Sequence, residues 1–480
     1  STFKGTGPAQ PYLNYAMIGL INNAPNDFVQ KIRNEVKVLK LDFFGDISNF
    51  INLEQLYVSY NGAGKQTISY LKEFSVFEKL TSLVMHGEFI HTDQDLKGFL
   101  NLKGLTHLSL SINLLSSGKN ASSLKTLVGM ENCRELQELN INGCAKLIDV
   151  EGINDCQKLK SIELSGAKRL ENLNGLKGLK SLKTININYA ESLDNLDGFK
   201  GCDSLEEISI DGSNYSGNKK IKQPIKNVDG LIGLKKLNYV NLSSFNSLKN
   251  VDGLKGCSGL VQLNISSDSL ENINGLQNLK ALESIQLDTI KLKNIDGLSG
   301  CENLNSFDIQ SEDIKNLNGL KGCNKLQELN IPNSAKSLNL DGLAFMDSLR
   351  VINFRNCKIK SFDFTQKIPP ITYVDIRSSD QIKSLEGLGN LINLAKIVIK
   401  DCTKLENLKE IENIKTLESV IIQDCKSLKD VEALLSLPKL KVFKIRSCGI
   451  KKEELPGHLK VIAETTISYQ DDDSYSFRDK

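Results

Sequence analysis

A six-residue pattern of apolar and polar positions recurs along almost the whole chain. In the stretch from Leu136 to Ile141, written LQELNI, apolar and polar residues alternate over the last four positions. A period of two is typical of a β-strand with one buried face. Each recurrence of the pattern therefore predicts one short strand.

The first leucine of the pattern, replaced once by isoleucine, recurs 17 times. From Leu136 onward the spacing is 22 or 23 residues, except for one step of 32 between Leu205 and Leu237. A strand of this kind cannot bury its apolar side alone, but stacked copies form a parallel sheet with a continuous core. The 17 positions are Leu53, Leu80, Leu105, Leu136, Leu159, Leu182, Leu205, Leu237, Leu260, Leu282, Leu304, Leu326, Leu349, Ile371, Leu394, Leu417 and Leu440.

A second motif, Asn or Asp followed by Gly and then Leu or Phe, recurs in phase between the strands. It begins at Asn174, Asp197, Asp229, Asp252, Asn274, Asp296, Asn318 and Asp341. Its first residue can cap a turn by accepting a backbone N–H, Gly tolerates tight geometry, and the apolar residue returns to the core. The motif predicts short turns of 3-10 or α-helix joining one strand to the next.

Together the two motifs resemble leucine-rich repeats of the SDS22-like (22-residue) class, which is also found in internalins. The resemblance covers about residues 53–445. It implies an α/β solenoid, a horseshoe or arc with a parallel β-sheet on the concave face and short helical turns on the convex face. That class usually has Asn three positions after the last strand residue, where this chain often has another residue, such as Cys402 or Cys425. The loop backbone of those units must therefore find other partners.

The repeat boundaries predict the organisation of the chain. We expect a short helix near Asp27 to Val36, and polar insertions near 113–125 and 213–226 that lengthen two repeats. The predicted segments are an N-terminal cap (1–52), the repeat solenoid (53–448), a C-terminal cap (449–469) and a polar acidic tail (470–480).

All eleven cysteines fall on two positions of the repeat that we expect to face the core. Packed thiols act as small apolar groups, although Cys402, Cys425 and Cys448 could alternatively form a metal or redox ladder. The count is odd and no CxxC motif occurs, which favours a reducing compartment and predicts the cytoplasm, with the cell surface or secretion as the alternative.

The rest of the composition offers little for catalysis. The chain has four His, no Trp and a net charge of +2, and it lacks phosphate-binding and nucleophile-elbow motifs. We therefore predict no enzyme, no catalytic residue, no metal and no cofactor. We also expect no nucleic acid, no membrane insertion and no small-molecule substrate.

The outward residues of the strands form the surface where a partner usually binds in such folds. In the middle repeats these residues are polar and somewhat acidic, whereas the last five repeats combine apolar and basic residues. Exposed apolar groups among charges are typical of protein-binding patches, although strand propensity and solvated charges explain the same pattern. The predicted partner-binding residues are Arg355, Tyr373, Arg377, Lys396, Val398, Lys400, Ile421, Val442, Lys444 and Arg446.

Two functional hypotheses follow from this sequence. The first is a non-catalytic cytoplasmic scaffold that binds a protein partner, or another copy of itself, through the concave face. The second is an internalin-like adhesin at the cell surface that binds host protein or glycan through the polar middle repeats.

Overall fold

The computed structural model divides the chain into two compact units. One comprises Ser1–Ser247 and Gly253–Leu260, and the other comprises Leu248–Asp252 and Val261–Lys480. The structure describes residues 26–41, 47, 50–59, 76–86, 93–111, 124–213, 224–311, 313–332, 338–344, 346–359, 362, 368–450 and 454–460. Most of the two predicted insertions and of the C-terminal cap, and the whole acidic tail, lie outside these residues.

The first unit contains a helix followed by parallel strands, each paired with the next in sequence. The helix α1 (Asn26–Glu35) confirms the expected N-terminal helix. The described strands are β1 (Val38–Leu41), β2 (Gln55–Ser59), β3 (Ser82–His86), β4 (His107–Ser111), β5 (Glu138–Asn142), β6 (Ser161–Ser165), β7 (Thr184–Asn188), β8 (Glu207–Asp211) and β9 (Tyr239–Ser243). Strand β1 lies inside the segment predicted as a cap and adds a strand to the repeats counted from the sequence.

The second unit is built in the same way, and its strands also pair in parallel with their successors. The described strands are β10 (Gln262–Ser266), β11 (Ser284–Asp288), β12 (Ser306–Gln310), β13 (Glu328–Pro332), β14 (Val351–Arg355), β15 (Tyr373–Arg377), β16 (Lys396–Lys400), β17 (Ser419–Gln423) and β18 (Val442–Arg446).

Short 3-10 helices connect many of the strands, as the Asn/Asp-Gly motif predicts. They span Asp93–Asn101, Asn174–Leu176, Asp197–Phe199, Asp229–Leu231, Asp252–Leu254, Asn274–Leu276, Asp296–Leu298, Asn318–Leu320, Asp341–Leu343, Leu388–Asn390, Lys409–Asn413 and Glu432–Ser436.

Alternation along each strand separates the core from the outward surface. In β6, for example, Ile162 and Leu164 are buried while Ser161, Glu163 and Ser165 face outward. The leucine that opens each repeat and the apolar residue of each 3-10 helix fill the same core, and each such side chain contributes about 1.5–3 kcal/mol of transfer free energy. The predicted α/β solenoid of the leucine-rich repeat type is confirmed.

The residue that caps each turn differs from the one expected. The side chain of Asn172, two positions before the motif, accepts a hydrogen bond from the backbone N–H of Asn174, and Asn195 does the same for Asp197. Six further turns repeat this bond, with Asn227, Asn250, Asn272, Asn294, Asn316 and Asn339 as acceptors. The Asn or Asp of the motif thus donates its backbone N–H to the cap, and the Asn two positions earlier accepts it. An Asn side chain readily accepts a hydrogen bond from the backbone N–H two residues ahead.

The glycine of the motif is required by close packing of successive coils. A Cβ atom on Gly198 would overlap the backbone carbonyl of Leu173, which belongs to the preceding coil. Gly175, Gly230 and Gly297 face equivalent carbonyls at equally short range. None of these glycines has a left-handed φ, so space between the coils, and not backbone conformation, excludes a side chain there.

We predict that Gly198→Ala destabilises the protein by about 1–3 kcal/mol or more, the usual cost of overpacking a filled interior. Denaturant unfolding of the full chain measures the effect. Gly104→Ala is the matched control, because a Cβ on Gly104 would lie 3.5 Å from the Glu78 carbonyl oxygen, an ordinary contact. Equal stability of the two variants would contradict the close approach of the coils.

Candidate functional site

The outward residues of β14–β18 form three rows, because parallel register aligns equivalent positions of successive strands. The row of fifth residues contains Arg355, Arg377, Lys400, Gln423 and Arg446. Neighbouring strands lie about 4.8 Å apart, so this row places four cations within about 20 Å. Lys396 and Lys444 add two more cations in the other rows. We call the outward surface of β14–β18 the basic face.

The basic face contains one carboxylate, and that group is already paired. Asp375 is buried, with 7% of its surface exposed. Its oxygens accept hydrogen bonds from Arg377 Nε at 2.9 Å and Arg377 Nη2 at 2.8 Å. The Tyr373 hydroxyl lies 3.4 Å from the same carboxylate. This two-point contact neutralises Asp375 and holds the Arg377 guanidinium in place.

An aromatic ring on the basic face is also engaged by a cation. The Lys396 ammonium lies 5.3 Å from the centroid of the Tyr373 ring, within the range of a cation–π interaction. The ring face is therefore occupied, and the contact positions Lys396 beside the row of basic residues.

The predicted apolar part of this surface needs a correction at Val398. Its side chain is 3% exposed, although it stands at an outward position of β16. Asp375 and Ile421 flank Val398 on the neighbouring strands, and Lys396 and Lys400 flank it along its own strand. These four neighbours surround it, so Val398 cannot contact a partner directly. Ile421 and Val442 keep part of their surface exposed, and the face is mainly basic.

The cysteines lie where the repeat predicts. All eleven are free, ten are buried, and Cys448 is partly exposed, which corrects the expectation that every thiol is enclosed. The buried thiols donate weak hydrogen bonds to backbone carbonyls, as Cys202 and Cys257 do to Leu176 and Leu231 at 3.2 Å. Among the described residues, no group of three or more His, Cys, Asp or Glu is arranged to hold a metal ion.

Three thiols at the end of the second unit lie on successive coils. Each donates a weak hydrogen bond to a carbonyl of the preceding coil: Cys402 to Ile376, Cys425 to Ile399 and Cys448 to Ile422. The neighbouring Cys425 thiol lowers the pKa of Cys402. The Cys402 thiol raises the pKa of Cys425 to about 12. The Cys425 thiol, followed by burial, raises the pKa of the Cys448 thiol above its ordinary range.

Hydroxyl groups satisfy the loop backbone where the expected Asn ladder is missing. Ser267, Thr289 and Ser311 directly follow β10, β11 and β12, and they donate hydrogen bonds to the carbonyls of Leu248, Leu270 and Leu292. All three side chains are buried. The usual spacing of three residues after the strand would place Asp268 at this position, but the shorter 22-residue repeats lack one residue after the strand, so Ser267 points inward.

His86 and His107 of the first unit lie on neighbouring strands. His86 in β3 stacks on Tyr57 with ring centroids 5.7 Å apart, and His107 in β4 lies 3.7 Å from Glu138. Each therefore has a neighbour on an adjacent strand.

We predict that a thiol reagent modifies Cys448 faster than the ten buried cysteines of the folded chain, and that Cys448→Ser removes this first reaction. Because the pKa of Cys448 is raised, the reactive thiolate is scarce at neutral pH, and the labelling rate should rise through the mildly alkaline range. Stopped-flow absorbance with a disulfide reagent measures the rate. Fast labelling of several cysteines would contradict the burial of the thiols.

Comparison with known proteins supports the fold. No curated protein matches the sequence at a significant level. A leucine-rich repeat protein of Leptospira interrogans is 17% identical over 91% of this chain and 100% of its own, with a TM-score of 0.51. Internalin F of Listeria monocytogenes is 14% identical over 84% of this chain and 92% of its own, with a TM-score of 0.41.

A family model gives a more specific assignment. The model described as the BspA type leucine rich repeat region, which has six copies, matches residues 128–252, 235–350 and 347–472. Together these matches cover more than half of the chain and include most strands of both units. The chain belongs to the BspA-type leucine-rich repeat family.

Proposed function

We propose that this chain is a non-catalytic interaction protein whose basic face binds an acidic surface of a protein partner. The observation that carries the proposal is the excess of cations on this face. Beyond the Arg377–Asp375 pair, the outward residues include Arg355, Lys400 and Arg446 in one aligned row and Lys396 and Lys444 in the other rows. Aligned charges of one sign accelerate and orient the approach of an opposite surface. The proposal requires no cofactor, metal or catalytic side chain.

A protein fits this face better than a nucleic acid does. The partly exposed Ile421 and Val442 offer apolar contact among the cations, which is typical of protein interfaces. Single-stranded nucleic acid is bound mainly by free aromatic rings along a basic groove. The aromatic ring of this face, Tyr373, has Lys396 over it.

The cysteines favour a reducing compartment for this function. Cys448 is partly exposed and its thiol lies beside that of Cys425 in the neighbouring coil. An oxidising environment would tend to join two adjacent thiols of this kind. We therefore propose the cytoplasm as the location. None of the described helices is long and apolar enough to cross a membrane.

Cross-linking mass spectrometry in extract from the native source tests the proposal. We predict that the wild-type chain cross-links to a protein partner next to the basic face, and that Lys400→Glu combined with Lys444→Glu reduces capture at least tenfold. Each reversed charge turns an attraction into a repulsion at the contact. Addition of salt should weaken capture by the wild-type chain.

The matched control is Lys409→Glu combined with Lys439→Glu, which changes the net charge equally at exposed sites outside the strands. This control should retain the partner. If the partner is another copy of this chain, the scaffold is self-associating and the proposal stands. Undiminished capture by the Lys400/Lys444 variant would refute it.

A further inference from the structure

The outward surface of β4–β9 in the first unit has a composition opposite to that of the basic face. Its six strands present eighteen outward residues: seven Ser or Thr, five Asn, four Asp or Glu, one Tyr and one His. None is aliphatic and none is Lys or Arg, in a chain with 60 Lys and Arg among 480 residues. We call this surface the polar face.

Hydrogen bonds between neighbouring strands fix many of these side chains. Asn140 donates to Glu163 at 2.8 Å, and Thr184 donates to Ser161 at 3.0 Å. Further along, Asn241 donates to Ser209 at 3.2 Å and Ser243 donates to Asp211 at 3.1 Å. A polar ligand that meets side chains already held in one rotamer loses less conformational entropy on binding.

The polar face excludes several kinds of ligand. With no aliphatic side chain, it offers little apolar area to a hydrophobic protein surface. With no cation and four carboxylates, it repels phosphate groups and other polyanions. The polar face instead offers a dense array of hydrogen-bond donors and acceptors. Its amides both donate and accept, and its carboxylates accept strongly.

We propose that the polar face binds an extended, neutral glycan that lies across the strands. Hydroxyl-rich, uncharged ligands complement amides, hydroxyls and carboxylates without requiring a cation. The strand spacing of about 4.8 Å is close to the length of one sugar unit in an extended chain, so successive sugars meet successive strands. Tyr239, next to Glu207 in register, provides an aromatic ring beside the carboxylate on which the apolar side of a sugar can stack.

Within this face, Glu163 and Glu207 are the side chains that we expect to bind sugar hydroxyls most strongly. Glu207 is exposed, and Glu163 accepts from Asn140 through one oxygen. A carboxylate has about four acceptor positions, so Glu163 retains capacity for a ligand. The inference is independent of the proposed function, because these residues lie in the other unit from the basic face.

Isothermal titration of the full chain with linear, neutral hexasaccharides of glucose, mannose and galactose tests this inference. We expect at least one of them to bind, more tightly than its disaccharide, with an affinity that is the same in about 0.05 and about 0.5 M NaCl because no ion pair is involved. Glu163→Gln and Glu207→Gln keep the shape of the side chain and should each weaken binding about tenfold, the effect of losing one charge-assisted hydrogen bond.

The Lys400→Glu and Lys444→Glu double variant serves as the control and should bind the hexasaccharide as the wild type does. Thermal unfolding of every variant verifies that the fold is intact. The inference fails if none of the hexasaccharides binds. It fails equally if an oligolysine peptide binds this face in a salt-sensitive manner while the sugars do not, since the face would then recognise a basic protein segment.

Discussion

Close contact between the backbones of successive coils is the constraint on which each unit depends. A turn glycine such as Gly198 fits against the carbonyl of Leu173 in the preceding coil, and each strand donates and accepts hydrogen bonds along its neighbour. The residue after a strand continues the ladder, as Gly166 does by donating to the Asn188 carbonyl at 3.1 Å. The coil separation is therefore set by backbone atoms, and the buried leucines fill the space that remains.

This constraint leaves the outward positions of the strands free to differ. Core and turn positions must repeat, because any deviation opens a cavity or forces two coils apart. The outward positions belong neither to the core nor to the turns. Strands β4–β9 can therefore carry a polar surface without cations, while β14–β18 carry aligned arginines and lysines. In a repeat fold of this kind, function is determined by these surfaces and not by the fold itself.

The sequence predicted the repeating parts because their physical signal is local and is renewed every 22 or 23 residues. The strands, the 3-10 turns and the buried positions of the cysteines all follow from apolar spacing. The capping role of Asn172 was missed even though its spacing repeats, because the motif offered a second Asn two residues later as the apparent cap. A search for Asn at a fixed distance before the turn glycine would have found it.

Other features depend on residues that are neighbours in space, and they could not be predicted from the sequence of a single repeat. Val398 is buried because residues from β15 and β17 cover it, and no property of its own repeat indicates this. Ser267 replaces the expected Asp268 because one fewer residue follows the strand in the shorter repeats. The pairing of Arg377 with Asp375 could be suspected from their spacing of two along one strand, but its burial could not.

Hydrogen–deuterium exchange of the free full-length chain tests the stacking of coils most directly. The amides of β5–β9, together with the turn amide of Gly178 that bonds to the Lys200 carbonyl of the next coil at 3.0 Å, should exchange slowly and over a similar time range, because one continuous ladder protects them. Rapid exchange in the turns between slowly exchanging strands would show that the coils are not in backbone contact, and would contradict this account.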